Sequence, residues 1–198
     1  MSEAKPPPTP AAHGRKRRFG PILIWTLVAL GSLPFILRLT GMLRPFSIPN
    51  SSMAPTIAAG DHVLMEDFSY QSRGPRRGDL VVFKTDGISG LPGTLWVKRI
   101  VGLPGNKLRI ADGTVFINGV PTTFSSSSGL IHYGFLPGCN FLSSSNSVIE
   151  VPAESYFVLG DNSTNSWDSR CWGFVPRENI IGRINLCYWP PSRCGVVR

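Results

Sequence analysis

The sequence is poor in the residues that most hydrolytic and metal-dependent enzymes rely on. Histidine occurs three times in 198 residues, at His13, His62 and His132. A Ser/His/Asp triad built from His62 or His132 with Asp161 or Asp168 is an open alternative that no local signature supports. The four cysteines, Cys139, Cys171, Cys187 and Cys194, lack the paired close spacing of a structural zinc site, and neither a metal-ligand set nor a cofactor motif occurs elsewhere. Four cysteines allow three full disulfide pairings, and spacing does not choose among them. Beyond residue 18 there is no basic run interleaved with aromatics, which leaves no nucleic-acid interface. The net charge of +8 does not alter that, because Lys5, Arg15, Lys16, Arg17 and Arg18 against Glu3 put half of it in the first 18 residues.

A hydrophobic content of 42% is enough for one domain with a real core. Residues 1–18, with Pro6, Pro7, Pro8 and Pro10 and almost nothing apolar to bury, read as a disordered basic tail. Pro21 to Leu37 then carries no charge over 17 residues, so residues 19–40 are expected to form a transmembrane anchor. A cleaved signal with Ala29-Leu30-Gly31 as its junction is the weaker reading, because Leu33, Phe35, Ile36 and Leu37 continue the apolar run past the cut. Basic residues are retained on the cytoplasmic side, which puts the tail inside and residues 41–198 outside a single-pass plasma (inner) membrane protein in contact with the lipid bilayer.

The remainder reads as strands and turns. Strands are expected at His62–Phe68, Leu80–Lys84, Leu95–Val101, Lys107–Ala111, Thr114–Ile117, Ser155–Leu159 and Ile180–Tyr188, with hairpin turns at Asp112-Gly113 and Asn118-Gly119. No long amphipathic helix competes, so the fold class is mainly β, an antiparallel sheet domain, with a loop-rich insertion at about 121–146.

Three segments carry chemistry. In Ile48-Pro49-Asn50-Ser51-Ser52-Met53-Ala54-Pro55-Thr56, prolines favour an extended backbone around two serines; such a stretch also suits a plain linker. A serine hydroxyl needs a proton acceptor, and with histidine scarce the alternative is lysine. In Leu95-Trp96-Val97-Lys98-Arg99-Ile100-Val101, alternation puts Lys98 with Trp96 and Ile100 on one face and Arg99 on the other. A lysine base working near pH 7–8 needs its value of about 10.4 lowered by about three, which costs about 4 kcal/mol and demands burial. A lysine that snorkels to solvent would not serve. In Gly160-Asp161-Asn162-Ser163-Thr164-Asn165-Ser166-Trp167-Asp168-Ser169-Arg170, Ser166 is suited to hydrogen-bond an amine, and Asp168 and Arg170 to pair and brace the loop; the same composition also suits a hydrated turn.

Taken in order, these segments resemble the bacterial type I signal peptidases, or leader peptidases. The resemblance runs from about Ile48 to Arg183 through Ser52-Met53-x-Pro55-Thr56, Gly60-Asp61-x-Val63-Leu64, Arg77-Gly78-Asp79-Leu80-Val81-Val82-Phe83, Val97-Lys98-Arg99-Ile100-Val101-Gly102-Leu103-Pro104-Gly105, and Gly160-Asp161-Asn162 to Val175-Pro176. It implies two antiparallel β lobes resting on a membrane and a serine endopeptidase that cleaves signal peptides of exported preproteins after small-x-small sites. It also implies Ser52 as nucleophile, Lys98 as general base and Ser166 as the hydroxyl that positions the amine, with Asp161, Asp168 and Arg170 in support. The substrate would lie as an extended strand over shallow pockets lined by Ile48, Pro49 and Met53. Two positions depart from the family. Asn50 stands where many members have a serine or threonine that helps hold the oxyanion, and an amide N–H can do that work with the Ser52 backbone N–H. Ser163 stands where arginine is common, which removes a brace. The alternatives are a processing peptidase of a conjugation or secretion system, an organellar relative, or a membrane-tethered β-rich binding module without activity. A self-cleaving repressor would carry a DNA-binding region instead of an anchor.

Overall fold

Two short turns set the register of the smaller sheet. Asp112 (φ 49°) with Gly113 (φ 74°), and Asn118 (φ 52°) with Gly119 (φ 83°), have the paired positive φ values of two-residue hairpins. They fold Lys107–Ala111 (β5), Thr114–Ile117 (β6) and Val120–Thr122 (β7) into a meander, and Ile149–Glu150 (β10) pairs with the outer side of β5.

In a computed structural model, the structure describes residues 20–39 and 42–197. The tail expected at 1–18 lies outside the described residues. The larger sheet has eight strands, all paired antiparallel: Leu43–Ser47 (β1), His62–Glu66 (β2), Leu80–Lys84 (β3), Leu95–Gly102 (β4), Ser155–Leu159 (β11), Val175–Pro176 (β12), Ile180–Trp189 (β13) and Gly195–Val196 (β14). Its order is β1-β2-β13-β3-β4-β11-β12, with β14 beside β13. The antiparallel, mainly β expectation holds, and each of the seven expected strands forms, with ends displaced by at most two residues.

Both faces of the larger sheet are covered. Leu80 and Val82 pack with Ile48, Met53 and Ile57 on one side, and Val81, Phe83 and Ile100 with Val158 and Val175 on the other. A third cluster joins the two sheets, with Val101, Phe157 and Leu159 against Leu108, Ile110, Val115 and Ile117. The stretch expected as a loop-rich insertion contributes to that cluster through Phe124, Ile131, Tyr133 and Leu142. It also holds the ribbon Phe124–Ser126 (β8) and Gly129–Ile131 (β9). Cys139 of this stretch is disulfide-bonded to Cys171, which resolves the pairing left open by sequence, while Cys187 and Cys194 are free thiols.

Residues Gly20–Leu39 form helix α1. Among the described residues no helix is long and apolar enough to cross a membrane. The described residues also hold two one-turn α-helices, Phe68–Ser72 (α2) and Ser169–Trp172 (α3).

Gly102 sits where the two sheets meet. A Cβ there would lie 2.6 Å from Leu108 Cδ1, 2.9 Å from Val151 Cγ2 and 3.0 Å from Phe157 Cβ. Gly102→Ala is therefore expected to lower unfolding free energy by about 1–3 kcal/mol, read as a lower urea midpoint at unchanged slope.

Candidate active site

The chain enters the site at the end of β1. Ile48 is tied by its N–H to Asp61 O (2.9 Å) and by its carbonyl to Gly60 N–H (2.8 Å). The backbone then departs from the extended course expected of a Pro-flanked segment. Ala54 N–H bonds to Ser51 O (3.0 Å) and Ile57 N–H to Met53 O (2.9 Å), so Ser51 to Ile57 coil into successive turns. Met53 and Ile57 plug the core beneath, at 1% and 0% exposure, and leave Ser52 at the top.

Lys98 meets it from β4. Pairing with β3 sets Lys98 opposite Val81 and Trp96 opposite Phe83, and Trp96, Lys98 and Ile100 share one face as the alternation requires. The amine stands 5.6 Å from the centroid of the Trp96 ring, and Lys98 is 4% exposed. Lys98 Nζ donates to Ser52 Oγ at 2.7 Å. Burial pulls the amine down from about 10.5 to about 8; Arg170 works in the same direction, while Asp168 and Asp161 oppose it. A hydroxyl and an amine so placed can exchange a proton, because a fall of that size leaves an appreciable neutral fraction near pH 8 at a cost of about 3 kcal/mol.

Arg99, sent by alternation to the other face, is buried too. Its guanidinium makes a two-pronged pair with Asp161, Nε to Oδ1 at 2.7 Å and Nη2 to Oδ2 at 2.6 Å. Asp161 thus braces β4 next to Lys98 and does not touch the amine's proton acceptor. Tyr133 joins the same carboxylate, its hydroxyl donating to Asp161 Oδ1 at 3.4 Å.

The loop after β11 closes the site from above. Asp168 and Arg170 are both fully buried and pair as expected, Nη2 to Oδ2 at 2.7 Å and Nε to Oδ1 at 2.9 Å. Asp168 also accepts the Gly160 N–H (3.0 Å) and so draws the two ends of the loop together. Arg170 reaches on to Gly134 O (2.6 Å) and to the Ser163 carbonyl (2.8 Å). Ser163 supplies its own brace: its hydroxyl accepts from Arg170 Nη1 (3.0 Å) and from Gly134 N–H (2.8 Å), stitching the loop to the stretch around Tyr133. Ser166 is 4% exposed, and among the described residues its hydroxyl has no hydrogen-bond partner. It packs against Gly160, where a Cβ would collide with the Ser166 hydroxyl and come within 2.6 Å of Ser52 O.

Two asparagines not singled out by sequence hold the serine turn. Asn162 N–H donates to Ser52 O (3.1 Å), Asn162 Nδ2 to Ser51 O (3.1 Å) and Asn165 Nδ2 to Ser51 Oγ (3.0 Å). Their spacing within an Asn/Ser-rich turn is common, so only the partner 111 or more residues away distinguishes them. Asn50 lies at the mouth, its Oδ1 accepting the Ser52 backbone N–H at 3.1 Å. A cavity of about 310 Å³ opens beside Ser52 and Lys98, walled by Ile48, Pro49, Asn50, Met53, Trp96 and Trp167. His62, which packs edge-on to Tyr188, and His132, beside Gly113, do not line it.

Arg170→Met would strand the Asp168 carboxylate in the interior. A loss of about 3–5 kcal/mol in unfolding free energy is expected, measured by denaturant titration.

Comparison with known proteins gives the family. A family described as signal peptidase, peptidase S26, matches residues 19–189. The chain is 40% identical over 152 residues to signal peptidase I of Leptolyngbya laminosa, covering 75% of this chain and 70% of that protein. It is 38% identical over 154 residues to a probable signal peptidase I-2 of Synechocystis sp., covering 76% and 65% respectively. It is 35% identical over 165 residues to thylakoidal processing peptidase 1, chloroplastic, of Arabidopsis thaliana, covering 80% of this chain and 45% of that one. The chain thus spans a little under two thirds of the Synechocystis relative and less than half of the Arabidopsis one. With the family match running through both Ser52 and Lys98, the chain belongs to the signal peptidase family, peptidase S26.

Proposed function

We propose that this protein is a type I signal peptidase, a serine endopeptidase that cuts signal peptides from exported preproteins with a Ser52/Lys98 dyad. The observation that carries this reading is the 2.7 Å approach of a buried lysine amine to a serine hydroxyl at the edge of an open cavity. In the working form Lys98 is neutral and the hydrogen bond runs from the Ser52 hydroxyl to Nζ. Ser52 Oγ attacks the scissile carbonyl as its proton passes to Lys98, and the ammonium then protonates the departing amine. Water, deprotonated by the same amine, hydrolyses the ester and restores the serine. Ser166, buried beside this pair with an unspent hydroxyl, turns to hydrogen-bond the amine and fix its direction.

Asn50 serves the oxyanion. At rest its carbonyl oxygen occupies the Ser52 N–H. When the tetrahedral oxygen takes that N–H, the side chain rotates and presents Nδ2 to the same oxygen. The substrate binds as an added strand along β4: β11 pairs only as far as Arg99, so among the described strands Leu95–Lys98 is paired on one side alone. Ile48, Pro49 and Met53 floor the shallow pockets that favour small side chains. The apolar run at 19–40, most of which lies in helix α1, anchors the chain at the membrane. Its Leu23, Ile24, Trp25, Leu27 and Leu30 are exposed, as suits a single-pass anchor with the peptidase domain outside the cytoplasm.

Incubation of the purified full chain with a preprotein bearing a small-x-small junction is expected to release the signal peptide. Ser52→Ala is expected to abolish cleavage and Lys98→Ala to reduce kcat by about 10²–10⁴, with His62→Ala and His132→Ala unaffected. Loss of cleavage in a histidine variant with retention in Lys98→Ala would overturn the dyad. Because burial lowers Lys98 to about 8 and the neutral amine is the active form, kcat/KM is expected to rise with pH along a one-proton limb centred near 8. Asn50→Ala is expected to lower kcat by about 10²–10³ with little change in KM.

A further inference from the structure

The two free thiols lie together at the C-terminal end of the larger sheet. Strand β14 pairs with β13 so that Cys187 faces Gly195, and Cys194 directly precedes that glycine. Gly195 has no side chain and a φ of 151°, and apart from its chain neighbours nothing comes within 4 Å of where its Cβ would be. Both thiols point at the same short stretch of backbone: Cys187 donates to Trp189 O at 3.2 Å and Cys194 to Pro190 O at 3.4 Å. Both also line one cavity of about 510 Å³. Cys187 is 4% exposed, whereas Cys194 is open to solvent.

We propose that Cys187 and Cys194 form a second intramolecular disulfide when the protein meets a disulfide oxidant such as oxidised glutathione. Exposed Cys194, as thiolate, attacks one sulfur of the oxidant and releases one thiol. Cys187 then loses its proton to solvent and attacks Cys194 Sγ, which expels the second thiol. Two cysteine thiols and one oxidant disulfide become one protein disulfide and two reduced thiols, with no net change in electrons. The order follows from access, because burial pushes the Cys187 thiol up and makes it the poorer first attacker.

The ring so closed contains Arg193. Its Nε lies 2.9 Å and 3.0 Å from the two Asp61 carboxylate oxygens, and its Nη2 donates to Pro55 O at 3.1 Å. Asp61 in turn accepts the Ala58 N–H at 2.8 Å. The crosslink thus fastens, on both sides of Arg193, the clamp that backs the turn following Ser52.

The test uses the full chain in detergent, treated with oxidised glutathione, quenched in acid, denatured and alkylated with a maleimide. Before oxidation two cysteines are expected to alkylate. Afterwards none should, the protein should be lighter by two hydrogens, and a non-reducing peptide map should join the Cys187 and Cys194 peptides while the Cys139–Cys171 link persists. Cys194→Ser is expected to leave Cys187 alkylatable after the same treatment, whereas Cys187→Ala is expected to keep a glutathione adduct on Cys194, because no second thiol is there to expel it. A glutathione adduct on Cys194 with Cys187 still alkylatable, a covalent dimer through Cys194, two thiols surviving oxidation, or a new link to Cys139 or Cys171 would each overturn the proposal.

Discussion

A lysine in water keeps its proton at any pH a cell experiences, and the proposed dyad depends on removing Lys98 from water. Lys98 reaches 4% exposure because strand alternation aims it beside Trp96 and Ile100, and the turns of Ser51 to Ile57 close over its end. Desolvation alone does not set the outcome, since two carboxylates lie close enough to favour the ammonium form. Each is occupied. Asp168 faces a two-pronged guanidinium from Arg170, and Asp161 one from Arg99. The two buried pairs therefore do more than stiffen the loop, because each spends on an arginine a negative charge that would otherwise hold the proton on Lys98.

The fold supplies that arrangement by letting β4 serve two partners along its length. Among the described strands its first half pairs only with β3 and borders the cavity, while Arg99 to Gly102 pair with β11 and run into the cluster that joins the sheets. Lys98 sits at the changeover, rigid from one side and reachable from the other. The loop leaving β11 then folds back so that Asn162 grips the Ser51 and Ser52 carbonyls and Asn165 the Ser51 hydroxyl. Hydroxyl, amine and gripping amides thus come from three separate stretches held to the same frame.

Sequence revealed the elements whose signal is local. Asp112-Gly113 and Asn118-Gly119 announced hairpins because positive φ at both turn residues excludes most other side chains. The long strands followed from alternating apolar positions, and the face of Lys98 from the same period. The strands that escaped, β7 to β10, β12 and β14, have two or three residues each, too few for a period to register. Leu43–Ser47 escaped because its ladder partner among the described strands, β2, is 15 or more residues away and its own pattern carries Arg44 and Pro45. The Pro-flanked serine segment misled for a related reason: proline fixes φ without fixing the direction of the chain, and the turns there are set by Met53 and Ile57 seeking the core. The Cys139–Cys171 pairing and the Arg99–Asp161 bridge join positions 32 and 62 residues apart, and nothing local encodes either.

The stretch that reads as a serine-rich detour is sewn into the frame at several depths. Tyr133 reaches the Asp161 carboxylate, Gly134 holds both Arg170 and Ser163, Phe141 N–H bonds to Arg170 O at 2.8 Å, and Cys139 is covalently tied one residue beyond. Surface excursions between strands ordinarily drift in length over evolutionary time without harm. This one is denied that freedom, because trimming it would pull one of an arginine's hydrogen-bond acceptors from the protein interior and slacken the vault over the lysine.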